Sequence, residues 1–141
     1  MLSTAGDKNG PISKPPASQT MRAALEAYVD RINRGDKDGV IALFAPDAII
    51  EDPVGTPVKT GDAIASWFAD TIAFGTHIQP VAPIRSSHAN AAALIFDVRF
   101  RPPGGPSMLI RSLDVCTFDP EGRITSLKAY WGPEDMEILP D

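Results

Sequence analysis

Two aspartates and a tyrosine, far apart in the chain, sit where their side chains would acquire unusual chemistry. Asp52 follows the run Ala48-Ile49-Ile50-Glu51 and precedes Pro53, near Gly55. At a strand end of that kind, partial exposure leaves a carboxylate ionised and able to accept a proton. Asp114 lies in MLIRSLDVCTF, where counting in twos puts Met108, Ile110, Ser112, Asp114, Cys116 and Phe118 on one face. Leu109, Arg111, Leu113, Val115 and Thr117 take the other. If the first face turns inward, the Asp114 carboxyl lacks water and countercharge, keeps its proton and becomes a hydrogen-bond donor. Tyr28 recurs with Ala24, Leu25, Val29 and Ile32 at helical spacing, so its phenol also points toward the core. One acid would then be a base, while Asp114 and Tyr28 together would hold a developing oxyanion, a split in environment that marks acid–base sites.

Each of the three also has a plainer role open to it. Asp52 before a proline can begin an Asx-type turn, Asp114 can pair with Arg99 or Arg111, and the Tyr28 hydroxyl can reach a backbone carbonyl. Glu51, adjacent to Asp52 in an extended segment, is expected to point away from it. Cys116 shares the face of Asp114 and can line a pocket or remain an inert buried thiol. His77 and His88 have no partner at metal-ligand spacing, and both fit surface or strand-edge positions. No metal site is expected.

The elements that must position these residues divide along the chain. Residues 1–19, rich in Gly, Ser, Pro and Lys, read as a mobile tail ahead of a single domain over 20–141. A helix runs from Thr20 and stops at Asn33-Arg34-Gly35, with Asp36 as the N-cap of a second, short helix carrying Val40, Ile41, Leu43 and Phe44. Ala45-Pro46-Asp47 is expected as a turn, Ala48-Ile49-Ile50 as a strand, and Gly61 to Phe74 as a third helix burying Ile64, Trp67, Phe68 and Thr71. Strands then dominate. Leu94, Phe96, Val98 and Phe100 alternate with Ile95, Asp97, Arg99 and Arg101, and Met108 to Phe118 and Ile124 to Trp131 follow across the Asp119-Pro120-Glu121-Gly122 turn. Helices segregated ahead of hairpin-connected strands indicate an α+β fold with helices on one face of a curved antiparallel or mixed sheet.

Composition narrows the function classes. The 141 residues suit one core, and a 43% hydrophobic, 22% charged chain is ordinary for a globular protein. A net charge of −5, without a run of Lys or Arg, opposes nucleic-acid binding. The one cysteine permits neither an intrachain disulfide nor a thiolate cluster. No apolar stretch is long enough to span a bilayer and no signal-peptide layout is present, so a cytoplasmic location and a neutral small-molecule partner are expected.

The segments carrying the three residues, AYVDRINRGDKDGVIALFAPDAIIEDPVG over 27–55 and LDVCTFDPEGRITSLKAYW over 113–131, resemble bacterial Δ5-3-ketosteroid isomerases of the nuclear transport factor 2-like superfamily. The likeness extends over about residues 20–135 and implies a cone-shaped α+β fold with an apolar cavity. It implies Asp52 as general base, Tyr28 and protonated Asp114 as oxyanion hole, and Trp131 as a substrate-facing aromatic. Phe68, Met108, Cys116 and Phe118 are further expected substrate contacts. The implied reaction moves a proton from C4 to C6 of a Δ5-3-ketosteroid through a dienolate, without cofactor, in a homodimer. A polyketide-cyclase-type enzyme and a non-catalytic binder of small apolar ligands are the competing expectations. The chain departs from the family at two supporting tyrosines: equal spacing from Gly61 puts Ala69 at one position, and Phe44 stands at the other.

Overall fold

A computed structural model of the chain describes residues 14–140. Residues 1–13 of the expected tail lie outside the described residues. The first helix, α1 (Ser18–Asn33), begins two residues earlier than its periodicity indicates and buries Met21, Leu25, Tyr28 and Ile32, one stripe at spacings of four and three. It ends where Gly35 adopts φ 72°, a left-handed conformation that glycine accepts without a Cβ penalty. Asp36 then accepts a hydrogen bond from the Gly39 amide at 3.0 Å and caps α2 (Lys37–Ile41).

The strands are β1 (Phe44–Glu51), β2 (Lys59–Thr60), β3 (His77–Pro80), β4 (Ala91–Phe100), β5 (Met108–Phe118), β6 (Ile124–Tyr130) and β7 (Met136–Ile138), with α3 (Asp62–Ala73) between β2 and β3. They form one sheet in the order β2-β1-β6-β5-β4-β3, and β7 pairs with the start of β5. The β1–β6 pair is parallel and the others are antiparallel, so the sheet is mixed. The class is α+β, with three helices packed on a curved, unclosed sheet.

β4 and β5 pair continuously from Ala91↔Thr117 to Phe100↔Met108. Opposite residues in such a ladder share a face. Leu94 with Asp114, Phe96 with Ser112 and Val98 with Ile110 therefore look the same way, toward the helices. On β5 the alternation holds from Ile110 onward: Ile110, Ser112, Asp114, Cys116 and Phe118 are buried while Arg111 and Leu113 are exposed, and only Leu109, on the other face near the strand's start, is buried as well.

Ala45-Pro46-Asp47 is not a turn. β1 already begins at Phe44, and its pairing with β6 shifts register between Phe44 and Ile49. Pro46 and Asp47 are exposed within that irregular stretch, where a proline's missing N–H breaks no ladder bond. β2, β3 and β7 are too short to carry a readable period. Among the described residues no helix is long and apolar enough to cross a membrane.

Candidate active site

The inner face of the sheet and the helices leave a cavity of about 320 Å³ between them. That volume falls in the range of small-molecule sites. Tyr28 and Ile32 enter it from α1, Trp67, Asp70 and Thr71 from α3, Phe96, Val98 and Phe100 from β4, and Ile110, Ser112 and Asp114 from β5. Phe74 and Thr76, after α3, Ile78, on β3, Asp52, following β1, Trp131, following β6, and Met136, on β7, complete the wall. Tyr28, Asp52 and Asp114 come from three different elements and converge on this one space.

Asp52 is set by the loop that follows β1. Glu51 turns to accept a hydrogen bond from the Gly55 amide at 2.9 Å, and the Thr56 amide donates to the Pro53 carbonyl at 3.1 Å. The Val54 amide donates to Ala129 at 2.8 Å, tying the loop to the end of β6 beside Trp131. The Asp52–Pro53 peptide is cis. The local turn is thus held by Glu51, and the Asp52 side chain is free to face inward, where its Oδ1 accepts a hydrogen bond from Trp131 Nε1 at 2.9 Å. Burial raises the Asp52 pKa above the ordinary carboxylate value, while the indole N–H and the charge of Lys59 partly offset that rise.

Asp114 is 3% exposed. Its neighbour Ser112 offers a hydroxyl at 3.5 Å, a long and weak contact. Neither expected arginine pairs with it: Arg111 bonds Glu137 at 3.0 Å on the opposite face, and Arg99 is exposed. Burial first, and the nearby charge of Asp52 second, push the Asp114 pKa well above the ordinary value. When the two carboxyls share one negative charge it resides on Asp52, because that group has the indole donor and the cation while Asp114 has neither.

Tyr28 is 6% exposed, and its ring is fixed edge-on by Phe44 at 6.4 Å and Phe68 at 6.1 Å between centroids. Burial and the adjacent acids raise its pKa well above 10, so the phenol keeps its proton. Among the described residues no sealed polar atom is left unpaired and no protein group bonds this hydroxyl, which therefore opens onto the cavity instead of reaching a backbone carbonyl. On α3 the ring of Phe68, next to Ala69, meets Tyr28 edge-on. Both aromatic neighbours of Tyr28 thus lack hydroxyls.

Trp131 lines the cavity, but the other expected contacts do not. Phe68, Cys116 and Phe118 are fully buried in the core and absent from the cavity wall. The face assigned to Cys116 and Phe118 is right, yet the cavity spans only the part of β5 from Ile110 to Asp114. Past Asp114, packing against the helices seals the sheet. Met108, paired with Phe100 and Ile138, lies beyond the other end, where Met136 of β7 supplies the wall instead. The α3 residues Trp67 and Thr71, and the β4 stripe Phe96, Val98 and Phe100, read as inward-facing in the sequence without being recognisable as cavity wall. Asp70, Thr76 and Met136 carried no such signal.

His77 and His88 are exposed, and among the described residues no three His, Cys, Asp or Glu side chains gather as a metal site would require.

A family model described as the SnoaL-like domain matches residues 25–127. A steroid Delta-isomerase from Nocardioides simplex is 34% identical over 124 residues, spanning 87% of this chain and 98% of that protein. The epoxide hydrolase LasB of Streptomyces lasalocidi is 31% identical over 124 residues, 85% of this chain but 44% of its own length. Among solved structures, the epoxide hydrolase/cyclase-like enzyme SalBIII, described for its role in pyran ring formation in polyether salinomycin, superposes with a TM-score of 0.79. It is 27% identical, with 86% of this chain and 97% of that one covered.

Proposed function

The chain belongs to the SnoaL-like family, within the nuclear transport factor 2-like fold, and from that premise we propose that it is a steroid Δ-isomerase converting Δ5-3-ketosteroids to their Δ4 isomers. The observation that carries this reading is the unequal treatment of two carboxyls in one apolar cavity: Asp52 held by an indole N–H, Asp114 buried with no cation.

In this mechanism the substrate's C3 carbonyl oxygen lies between the Tyr28 hydroxyl and protonated Asp114. Ionised Asp52 removes the C4 proton, and the C4–H electron pair flows into the carbonyl to give a dienolate. The two donors stabilise that oxyanion in a site from which water is largely displaced. Asp52, now protonated, delivers the same proton to C6, the carbonyl re-forms and the double bond has moved to Δ4. One base serves both carbons, and no external acid or cofactor enters the balance. Phe96, Val98, Phe100 and Ile110 offer the flat apolar surface that a steroid skeleton fills.

A second reading draws on the likeness to LasB and SalBIII. There Asp114 and Tyr28 donate to an epoxide oxygen while Asp52 activates the attacking hydroxyl or water. Purified protein assayed for conjugated-enone absorbance against a panel of Δ5-3-ketosteroids separates the two. Enone formation that is abolished in Asp52→Asn supports the isomerase, and turnover of epoxides alone replaces it.

The working unit in this reading is a homodimer in the cytoplasm. Ile95, Leu113 and Tyr130, adjacent in register across β4, β5 and β6, are 44%, 37% and 48% exposed on the sheet face away from the helices. A second copy covers this apolar row. Leu113→Arg would then convert a dimer to a monomer in sedimentation, and a monomeric wild type would refute the pairing.

A further inference from the structure

Lys59 is not part of the cavity wall, yet three features direct it at the site. It lies on β2, opposite Ile50 in the β1–β2 ladder and so two residues from the level of Asp52. Its Nζ sits 4.3 Å from the centroid of the Trp67 ring, and Trp67 is a cavity residue. Its stem is half-buried, and among the described residues its ammonium makes no ion pair with any carboxylate. A lysine resting on an aromatic face has its charge held in place.

We propose that Lys59 is a positioning residue for the base: stacked on Trp67, its ammonium clamps that part of the wall and keeps a positive charge beside Asp52. This rests on Asp52 being the base. The groups that share the cavity with Asp52 are Tyr28 from α1, Asp70 from α3, Asp114 from β5 and the Trp131 indole after β6. Glu51 is committed to Gly55, and Lys128, its partner across β1–β6, lies in the alternate position to buried Leu127. The remaining titratable groups are therefore acidic or phenolic, and Lys59 supplies the positive charge felt at Asp52. A cation there favours the ionised, proton-accepting form.

The test compares wild type, Lys59→Met and Lys59→Arg. Methionine keeps the apolar stem without charge, and arginine keeps the charge and stacks on indole. The pH profile of kcat/KM is measured on a Δ5-3-ketosteroid. In parallel, the Asp52 carboxyl is titrated by 13C NMR, its resonance assigned by its loss in Asp52→Asn. We expect both midpoints to move to higher pH in Lys59→Met and to return toward wild type in Lys59→Arg. A change confined to KM with unmoved midpoints makes Lys59 only a packing residue and overturns the proposal. An equal upward shift in both variants also overturns it, since charge would then not be the cause. If wild type isomerises no ketosteroid, the isomerase reading fails, and the carboxyl titration still decides the role of Lys59.

Discussion

The Trp131 indole N–H donates to Asp52 Oδ1 across 2.9 Å, joining two residues 79 positions apart and fixing the orientation of the carboxyl that faces the cavity. The bond favours the ionised form of Asp52. Trp131→Phe removes it, so the Asp52 pKa rises and the acidic limb of kcat/KM moves to higher pH. Below that limb the loss should be about tenfold, the size of one hydrogen bond of roughly 1–1.5 kcal/mol. A limb that stays in place would show that the indole contributes only surface.

Asp52→Asn keeps the shape of the side chain and its contact with Trp131 while removing the base. Isomerisation of 5-androstene-3,17-dione should fall by at least the ~10²- to 10⁴-fold that a general base contributes. Affinity for a phenolic steroid, measured by calorimetry, should remain, because Tyr28 and Asp114 are untouched.

Tyr28→Phe and Asp114→Ala each remove one donor to the same oxygen. Each should cost about 10²- to 10³-fold in kcat. The double variant should lose less than the product of the two, since the effects of groups serving one oxyanion do not add. Wild-type rates in both single variants would end the oxyanion-hole assignment.

Asp114 should also be a burden on stability. Burial raises its pKa in the folded state, so the folded protein binds that proton more tightly than the unfolded chain does. Stability attributable to this group is therefore highest at low pH and declines as pH rises above the unfolded carboxyl's range, until the folded group itself ionises. Asp114→Asn escapes that cost. Its melting temperature at pH 7 should exceed that of wild type, with the gap narrowing as pH falls to about 4. A gap independent of pH would mean that the Asp114 carboxyl is not held neutral by burial.

Period-two and helical spacing placed Asp114 and Tyr28 on inward faces, and the α+β class followed from helices preceding strands. Those features are local: a strand alternates and a helix repeats whatever packs against it. The burial of Asp114 among apolar neighbours was legible for that reason. The Asp52 carboxyl is partly exposed, as its place at a strand end indicated, and burial of the rest still raises its pKa. A contact with Trp131, brought there by the parallel pairing of β1 and β6, cannot be read from either segment alone.

By itself, the sequence determined which side chains share a face, Asp114 with Ile110, Ser112, Cys116 and Phe118, because that depends on neighbours two residues away in an extended strand. Only the tertiary structure decided how far the cavity reaches. Cys116 and Phe118 share the face of Asp114 yet lie in sealed core, while Met136 from the C-terminal strand forms part of the wall. Where a sheet is covered and where it is left open is set by helices packing from elsewhere in the chain. That boundary has no period to betray it.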